Sequence, residues 1–349
     1  MTPPVRFHFA SPGPLDQPTG GYRYDRRILD QVRGKGADVV VHELPGRFPG
    51  PEETARSAAA QVWDALGPDD RLVIDGLALP AFERPITHRS GGPRLIVLVH
   101  HPLYLETGRT AEEADRLRRC ETALLRAADR IIATSPATRS EIAALGIDAA
   151  TVRVVVPGTD RANAAAGSTD GSLSLLCVAA LIPRKGHMLL LSALSALQHL
   201  RWHLDCVGPA DRDPAHGRAV RDAIDEAGMT DRVTLCGTLS DAALAKRYGA
   251  ADLFVLASRY EGYGMAYAEA LAHGLPIVAS GGGAVRDTVP PTAGLVVPAG
   301  DRLCLTAALA AIMGDPRLRH RLCAGARRAG RSLPDWDGQA DRFLTAVLE

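Results

Sequence analysis

Short, continuous apolar runs alternate with segments of helical spacing along the chain, and the alternation occurs twice. In the first half the runs fall at residues 5–10, 38–43, 71–75, 95–100, 130–134 and 152–156. Helical spacing covers 22–34, 54–66, 111–127 and 137–145 between several of them. A strand that is apolar on both sides must be covered on both sides, so this pattern specifies a parallel sheet between helix layers. The pattern pauses over PGTDRANAAAGSTDGS, residues 157–172, which has few large apolar side chains and many turn formers. It resumes at 173–179, 203–207, 233–236, 253–257, 276–279 and 294–297. A helical stretch over 307–331 is interrupted by Asp315-Pro316, and a last helix is predicted over 338–348, after Pro334. A chain of 349 residues exceeds one ordinary core. The fold class is therefore α/β, with two doubly wound domains in tandem. Ligands of such sheets bind at the carboxyl ends of the strands, and two facing domains would place a cleft there.

Composition narrows the function classes. Lys plus Arg equals Asp plus Glu at 40 each, which gives no support for general nucleic-acid binding. Local basic runs occur at Arg116, Arg118 and Arg119 and between Arg317 and Arg331. Each reads as a solvated helix face, with peripheral contact to anionic lipid as the sharper alternative. The six cysteines include no C-x-x-C pair, and Cys177 and Cys206 fall inside apolar strand-like runs. This suits reduced, mostly buried thiols in a cytosolic protein, not a disulfide frame or a zinc site. The stretch MTPPVRFHFASPGP lacks the apolar core of a signal peptide, and no run of about 18 apolar residues occurs.

Chemistry concentrates in the loops after predicted strands. Gly20-Gly21 precedes a helix start, where small residues let the backbone approach an anion; a plain glycine turn is the competing reading. Tyr22 and Tyr24 either line a pocket or belong to the core. His100 and His101 close the fourth apolar run, where an imidazole can hydrogen-bond a ligand. Adjacent strand residues point to opposite faces, which argues against both binding one zinc ion. Pro183-Arg184-Lys185-Gly186 turns into a helix and can hold a phosphate through its cations and the helix dipole. Asp211-Arg212-Asp213 and Asp335-Trp336-Asp337 have the D-x-D form that can carry a divalent ion on a diphosphate, but neither follows a clear strand end. The P-loop, dinucleotide-binding and nucleophile-elbow glycine motifs are all missing.

The stretch SRYEGYGMAYAEALAHGLPIVAS, residues 258–280, holds two carboxylates, Glu261 and Glu269. A helix is predicted to begin near Gly264 or Met265 and to end at His273-Gly274. Eight helical residues rise about 12 Å. Paired glycosidase carboxylates stand roughly 5–9.5 Å apart, so a hydrolytic dyad fits poorly. One extended ligand along the helix N-terminus fits better. Glu261 would accept hydrogen bonds at one end, the N–H groups of Gly262, Tyr263, Gly264 and Met265 would face the middle, and Glu269 would accept from a pair of hydroxyls. A nucleotide sugar has that layout.

These residues, with the following GGG and GLVVPAGD, resemble the donor-binding signature of the family 4 retaining glycosyltransferases, whose E-x7-E motif corresponds to Glu261 and Glu269. The resemblance extends through RVTLCGTLSDAALAKRYGAADLFVL and RKGHMLLLSAL and covers nearly all of residues 173–330. In the first half it rests on PTGGYRYDRRIL and LVHH. The resemblance implies the GT-B fold, with two facing Rossmann-like domains and an interdomain cleft. The domains would be an acceptor-side domain over 1–158, a linker over 159–172 and a donor-binding domain over 173–334, with the helix over 335–349 packing back on the first. It implies that Glu261 contacts the donor sugar, Glu269 the ribose, Lys185 the diphosphate, and Gly20 and Gly21 the donor phosphate. His100, with His101 as runner-up, would contact the transferred sugar. Two departures occur. Ala180 stands where the family commonly has an arginine, with Arg184 as a candidate stand-in, and Arg286-Asp287 stands where it commonly has Pro-Glu.

The resemblance further implies transfer of a hexose-type sugar from a nucleotide diphosphate donor to an acceptor hydroxyl, with retention of configuration. The expected mechanism is front-face and uses no metal or other cofactor. Positioning and charge stabilisation would dominate, and side-chain proton chemistry would lie at His100. The expected catalytic residues are His100, Glu261 and Lys185. The acceptor is a small molecule, a lipid or a glycan, and the expected location is the cytoplasm, with peripheral membrane contact left open. Competing readings are a GT-B epimerase that hydrolyses its nucleotide sugar, or a binding relative with a dead site.

Overall fold

The structure is a computed structural model that describes residues 5–88, 91–169 and 171–349. Residues 1–4 of the N-terminal stretch and Asp170 of the predicted linker lie outside the described residues. The chain divides into two compact units. One runs to Gly158 and includes Pro334–Glu349; the other is Thr159–Leu333.

The first unit contains β1 (Arg6–Ser11), α1 (Gly20–Gly34), β2 (Asp38–Glu43), α2 (Glu53–Asp64), β3 (Arg71–Asp75), α3 (Glu83–Thr87), β4 (Arg94–Val99), α4 (Ala111–Arg126), β5 (Arg130–Ala133), α5 (Pro136–Ala144) and β6 (Val152–Val154). Its sheet has the order β2-β1-β3-β4-β5-β6, with parallel pairs throughout. Leu95 to Leu98 of β4 are all fully buried, which is why that run has no polar alternation. Helix starts are set by local caps. Thr110 and Glu113 form a reciprocal capping box on α4, and Ser135 caps α5.

The second unit continues with β7 (Leu173–Val178), α6 (His187–Ser195), β8 (Trp202–Val207), α7 (Pro214–Glu226), β9 (Val233–Gly237), α8 (Asp241–Ala250), β10 (Leu253–Leu256), β11 (Tyr260–Glu261), α9 (Met265–Ala272), β12 (Ile277–Ser280), β13 (Gly282–Gly283), α10 (Val285–Thr288), β14 (Gly294–Val297), α11 (Arg302–Gly314) and α12 (Pro316–Arg331). Its sheet order is β14-β12-β10-β7-β8-β9. Counted from β7 this is the 3-2-1-4-5-6 order of a dinucleotide-binding sheet. The segment from Thr159, read from sequence as a linker, is strapped to this unit. The N–H of Ala165 donates to His273 O, that of Ala166 to Gly249 O, and Asp252 accepts from the N–H groups of Ser168 and Ser174.

The last helix, α13 (Trp336–Leu348), belongs to the first unit. Phe343 packs against Phe7, and Lys35 forms ion pairs with Asp337 at 2.7 Å and Asp341 at 2.9 Å. Gly158 has no room for a side chain, because a Cβ would come within 2.5 Å of the Trp336 backbone.

Each chain path reverses direction once. In the first sheet β1 pairs with β2 on one side and β3 on the other, so the switch lies at β1/β3. In the second the path runs β7, β8, β9 and then returns to β10 beside β7, so the switch lies at β7/β10. Side chains that follow these strands occupy the ligand-binding position of each sheet.

Candidate active site

At the switch of the second sheet the turn after β7 meets the loop after β10. Pro183–Lys185 forms one tight turn, and Gly186 starts α6 with φ +71°. A Cβ on Gly186 would lie 1.9 Å from the Ala257 carbonyl, so only glycine lets the two loops touch. Arg259 N–H donates to Arg184 O, and the Arg184 guanidinium donates to Tyr260 O at 2.9 Å. This brings Lys185 Nζ within 2.6 and 2.9 Å of the two Glu261 carboxylate oxygens. Ser258 Oγ donates to Glu261 Oε1 at 2.6 Å, and Arg184 stands 3.7 Å from Oε2. Glu261 is 5% exposed. Burial alone would push its carboxyl up, but Lys185 and Arg184 outweigh it and hold the group below its ordinary value.

The glycines around Glu261 are there for packing as well as for approach. Gly264 caps α9 with φ +89°, and a Cβ there would meet the Tyr267 ring at 2.5 Å. The two-residue β11–β13 ladder pairs Tyr260 with Gly282 and Glu261 with Gly283. A Cβ on Gly283 would lie 2.3 Å from Glu261 O. Gly262 and Tyr263 complete the turn, and Met265 opens the helix as predicted. Glu269 lies on α9 itself and accepts a hydrogen bond from Tyr248 Oη at 2.9 Å. The two glutamates thus hold different partners. Tyr248, which the sequence reading did not single out, is buried and stacks on His273.

At the carboxyl ends of the first sheet, His100 sits just past β4. Its Nε2 lies 3.0 Å from Asp25 Oδ1 and 3.5 Å from Asp75 Oδ2. Gly20 and Gly21 begin α1, and a Cβ on Gly21 would stand 3.3 Å from the His100 ring. His101 is separate and pairs with Glu106 at 3.3 Å. Tyr22 and Tyr24 prove to be core residues, with hydroxyls donating to Pro12 O and Val155 O. Asp25 and Asp75 escaped the sequence reading.

Other sequence candidates resolve into structure. Asp213 and Asp335 cap α7 and α13, Asp337 binds Lys35, and Asp211 borders an open cavity of about 570 Å³ that Ala210, Arg218, Arg221 and Thr238 also line beyond β8 and β9. Cys304 is exposed, contrary to the expectation of mostly buried thiols, whereas Cys177 and Cys206 are buried. The latter two gather with His187, with Cys177 Sγ 3.8 Å from His187 Nε2. A hydrogen bond from Cys206 and the neighbouring His187 draw the Cys177 thiol down to about 5 against its burial. These are soft donors, behind the Lys185 turn in the apolar core. Among the described residues no helix is long and apolar enough to cross a membrane.

Two Rossmann-like α/β units in one chain are the architecture of the GT-B class of glycosyltransferase folds. The chain belongs to the glycosyl transferase group 1 and 4-like family: the model described as "Glycosyl transferases group 1" matches residues 172–315, and that described as "Glycosyl transferase 4-like domain" matches residues 6–158. It is 31% identical over 265 residues to D-inositol 3-phosphate glycosyltransferase of Thermomonospora curvata, covering 69% of this chain and 61% of that one. It is 29% identical over 248 residues to mannosylfructose-phosphate synthase of Agrobacterium fabrum, covering 65% and 54%. The chain thus spans less than two thirds of the length of these curated relatives. Its fold is similar to that of sucrose-phosphate synthase from Thermosynechococcus elongatus, with a TM-score of 0.80 at 21% identity over 97% of both chains. It is also similar to Anabaena HepE solved with UDP and glucose, with a TM-score of 0.78 at 17% identity over 99% of this chain and 100% of that one.

Proposed function

We propose that the protein transfers a hexose-type sugar from a nucleoside diphosphate sugar to an acceptor hydroxyl, with retention of configuration and without a metal. The observation that carries this is the Lys185–Glu261 pair at the β7/β10 switch, buried beside the first turns of two helices. Lys185, Arg184 and the N-terminal ends of α6 and α9 supply fixed positive charge for a leaving diphosphate. In this reading Glu261 accepts from sugar hydroxyls and Glu269, oriented by Tyr248, accepts from the ribose. The cavity bordered by Arg218 and Thr238 has the size for a nucleobase.

Retention follows if the leaving diphosphate takes the acceptor proton on the face it departs from, and the chain's residues then act by positioning. Two relatives are named for phosphorylated polyol or sugar products or acceptors, inositol 3-phosphate and mannosylfructose phosphate. A small phosphorylated acceptor is therefore the first class to test, ahead of a lipid or a glycan. The donor is found by thermal shift against UDP-, GDP- and ADP-sugars. Glu261→Ala is then assayed with donor and acceptor. Transfer should fall by more than 100-fold on the order expected for a lost transition-state contact, with the fold intact by circular dichroism. Near-wild-type turnover in the variant would refute the assignment.

A further inference from the structure

His100 is gripped by more groups than orientation alone requires. Its Nε2 faces both Asp25 Oδ1 and Asp75 Oδ2, at 3.0 and 3.5 Å. Asp25 is fully buried on α1, one turn after Gly21, and Asp75 is nearly so at the end of β3. The His100 side chain keeps 19% exposure. Tyr24 meets the imidazole edge-on at 5.3 Å, and its hydroxyl is turned away to Val155 O. Gly21 closes one face of the ring. Asp75 Oδ1 accepts the N–H of Leu77 at 2.6 Å, whereas buried Asp25 Oδ2 takes no donor among the described residues.

A buried carboxylate beside the ring favours its doubly protonated form, and here two carboxyl groups stand by to supply that charge; both lie on Nε2, so Nδ1 is the nitrogen directed away from them. We propose that Asp25 and Asp75 are positioning residues that hold His100 as a fixed imidazolium, so that Nδ1–H stands as a fixed hydrogen-bond donor at the carboxyl ends of the first sheet and the ring does not act as a proton acceptor. This rests on the function proposed above and replaces the expectation that proton chemistry lies at His100.

The balance of charges agrees. Burial pulls the imidazolium toward deprotonation, but Asp25 and Asp75 outweigh it and raise His100 to about 10. Burial raises Asp25 to about 8, with Asp75 adding to the rise and His100 opposing it. Burial also acts to raise Asp75, but the hydrogen bond and charge of His100, with help from Asp25 and the Leu77 N–H, bring it below its ordinary value. A cation on the ring is what compensates the buried carboxyl charge of this cluster.

The test is two-bond ¹H–¹⁵N spectroscopy of histidine-labelled protein without substrate, with His100 assigned through His100→Gln. Both His100 ring nitrogens should keep the imidazolium pattern through pH 8. Asp25→Asn and Asp75→Asn should each preserve it at pH 7, because the remaining carboxylate supplies the counter-charge. The double variant should lower the His100 midpoint by about two to three pH units, the size of effect expected on losing a close opposite charge. A wild-type His100 that titrates between pH 6 and 7, or a double variant that leaves its midpoint unchanged, overturns the proposal. If the double variant fails to fold, the wild-type titration decides. If no nucleotide sugar is turned over, the functional reading fails while this measurement stands. Turnover whose kcat rises with His100 deprotonation would sink this proposal alone.

Discussion

Replacing Lys185 by Met removes the nearest cation from a buried carboxylate and should be felt as lost stability before any activity is measured. Glu261 is 5% exposed, and its two oxygens take Lys185 Nζ at 2.6 and 2.9 Å. Deleting one partner of such a pair costs about 3–5 kcal/mol, because the other charge stays buried. Here Ser258 Oγ still donates at 2.6 Å and Arg184 remains 3.7 Å away. The lysine head is also 18% exposed, so the expected loss is about 2–4 kcal/mol. For a unit of this size that lowers Tm by roughly 5–12 °C. The pH dependence has a definite sign. In the wild type the Glu261 carboxyl lies below its ordinary value of 4.5. Its stabilisation is therefore complete above that value and fades as pH falls through the folded one. In the variant the carboxyl rises instead, so the gap between the two proteins should be widest at pH 7–8 and narrow toward pH 5. Adding Glu261→Gln to the variant should restore part of the loss. Calorimetry of wild type, both single variants and the double measures this directly. A Lys185→Met protein with unchanged Tm at pH 7.5, or one made worse by Glu261→Gln, would refute the reasoning.

Two further outcomes follow from the same unit. Gly186→Ala should destabilise by about 2–4 kcal/mol, since φ is +71° and the added Cβ would collide with Ala257 O, and denaturant titration reads the loss. Tyr248→Phe removes the hydroxyl that donates to Glu269 and should weaken nucleotide binding by roughly 5- to 10-fold, about one hydrogen bond's worth, with under 1.5 kcal/mol lost in stability; calorimetric titration with the nucleoside diphosphate checks it.

How far the sequence could be read depended on how local each determinant was. The strands were legible because their residues are buried on both faces and carry no polar alternation, as in Leu95 to Leu98. Helix starts were less so. The apolar spacing placed α11 from 307, but Asp301 caps it and it begins at Arg302. The β11–β13 ladder is two residues long and had no period to detect. The strap over residues 159–169 was hidden because Asp252, which ties Ser168 and Ser174, lies far along the chain. Among the candidate site residues, Glu261, Glu269 and Lys185 were singled out through a motif. Asp25 and Asp75 were not, since an aspartate on a helix and another at a strand end look like ordinary solvated groups. The available signal was that Asp75 closes the apolar run RLVID and Asp25 follows Gly21 by four residues, on its face of α1.

The placement of α13 bears on how the chain can fold during synthesis. The first unit draws its last helix from residues beyond the whole of the second. Phe7 and Lys35 must wait for Phe343, Asp337 and Asp341 to leave the ribosome, some 300 residues later, a delay on the order of 15–60 s at ordinary elongation rates. Arg153 likewise waits for Glu349 across 196 positions. The second unit is contiguous and has no such delay. The natural order of completion is therefore inverted: the unit made second closes first. The unit made first stays open along α1, the helix that carries Gly21 and Asp25, and is vulnerable to proteases and to chaperone capture until α13 has been made.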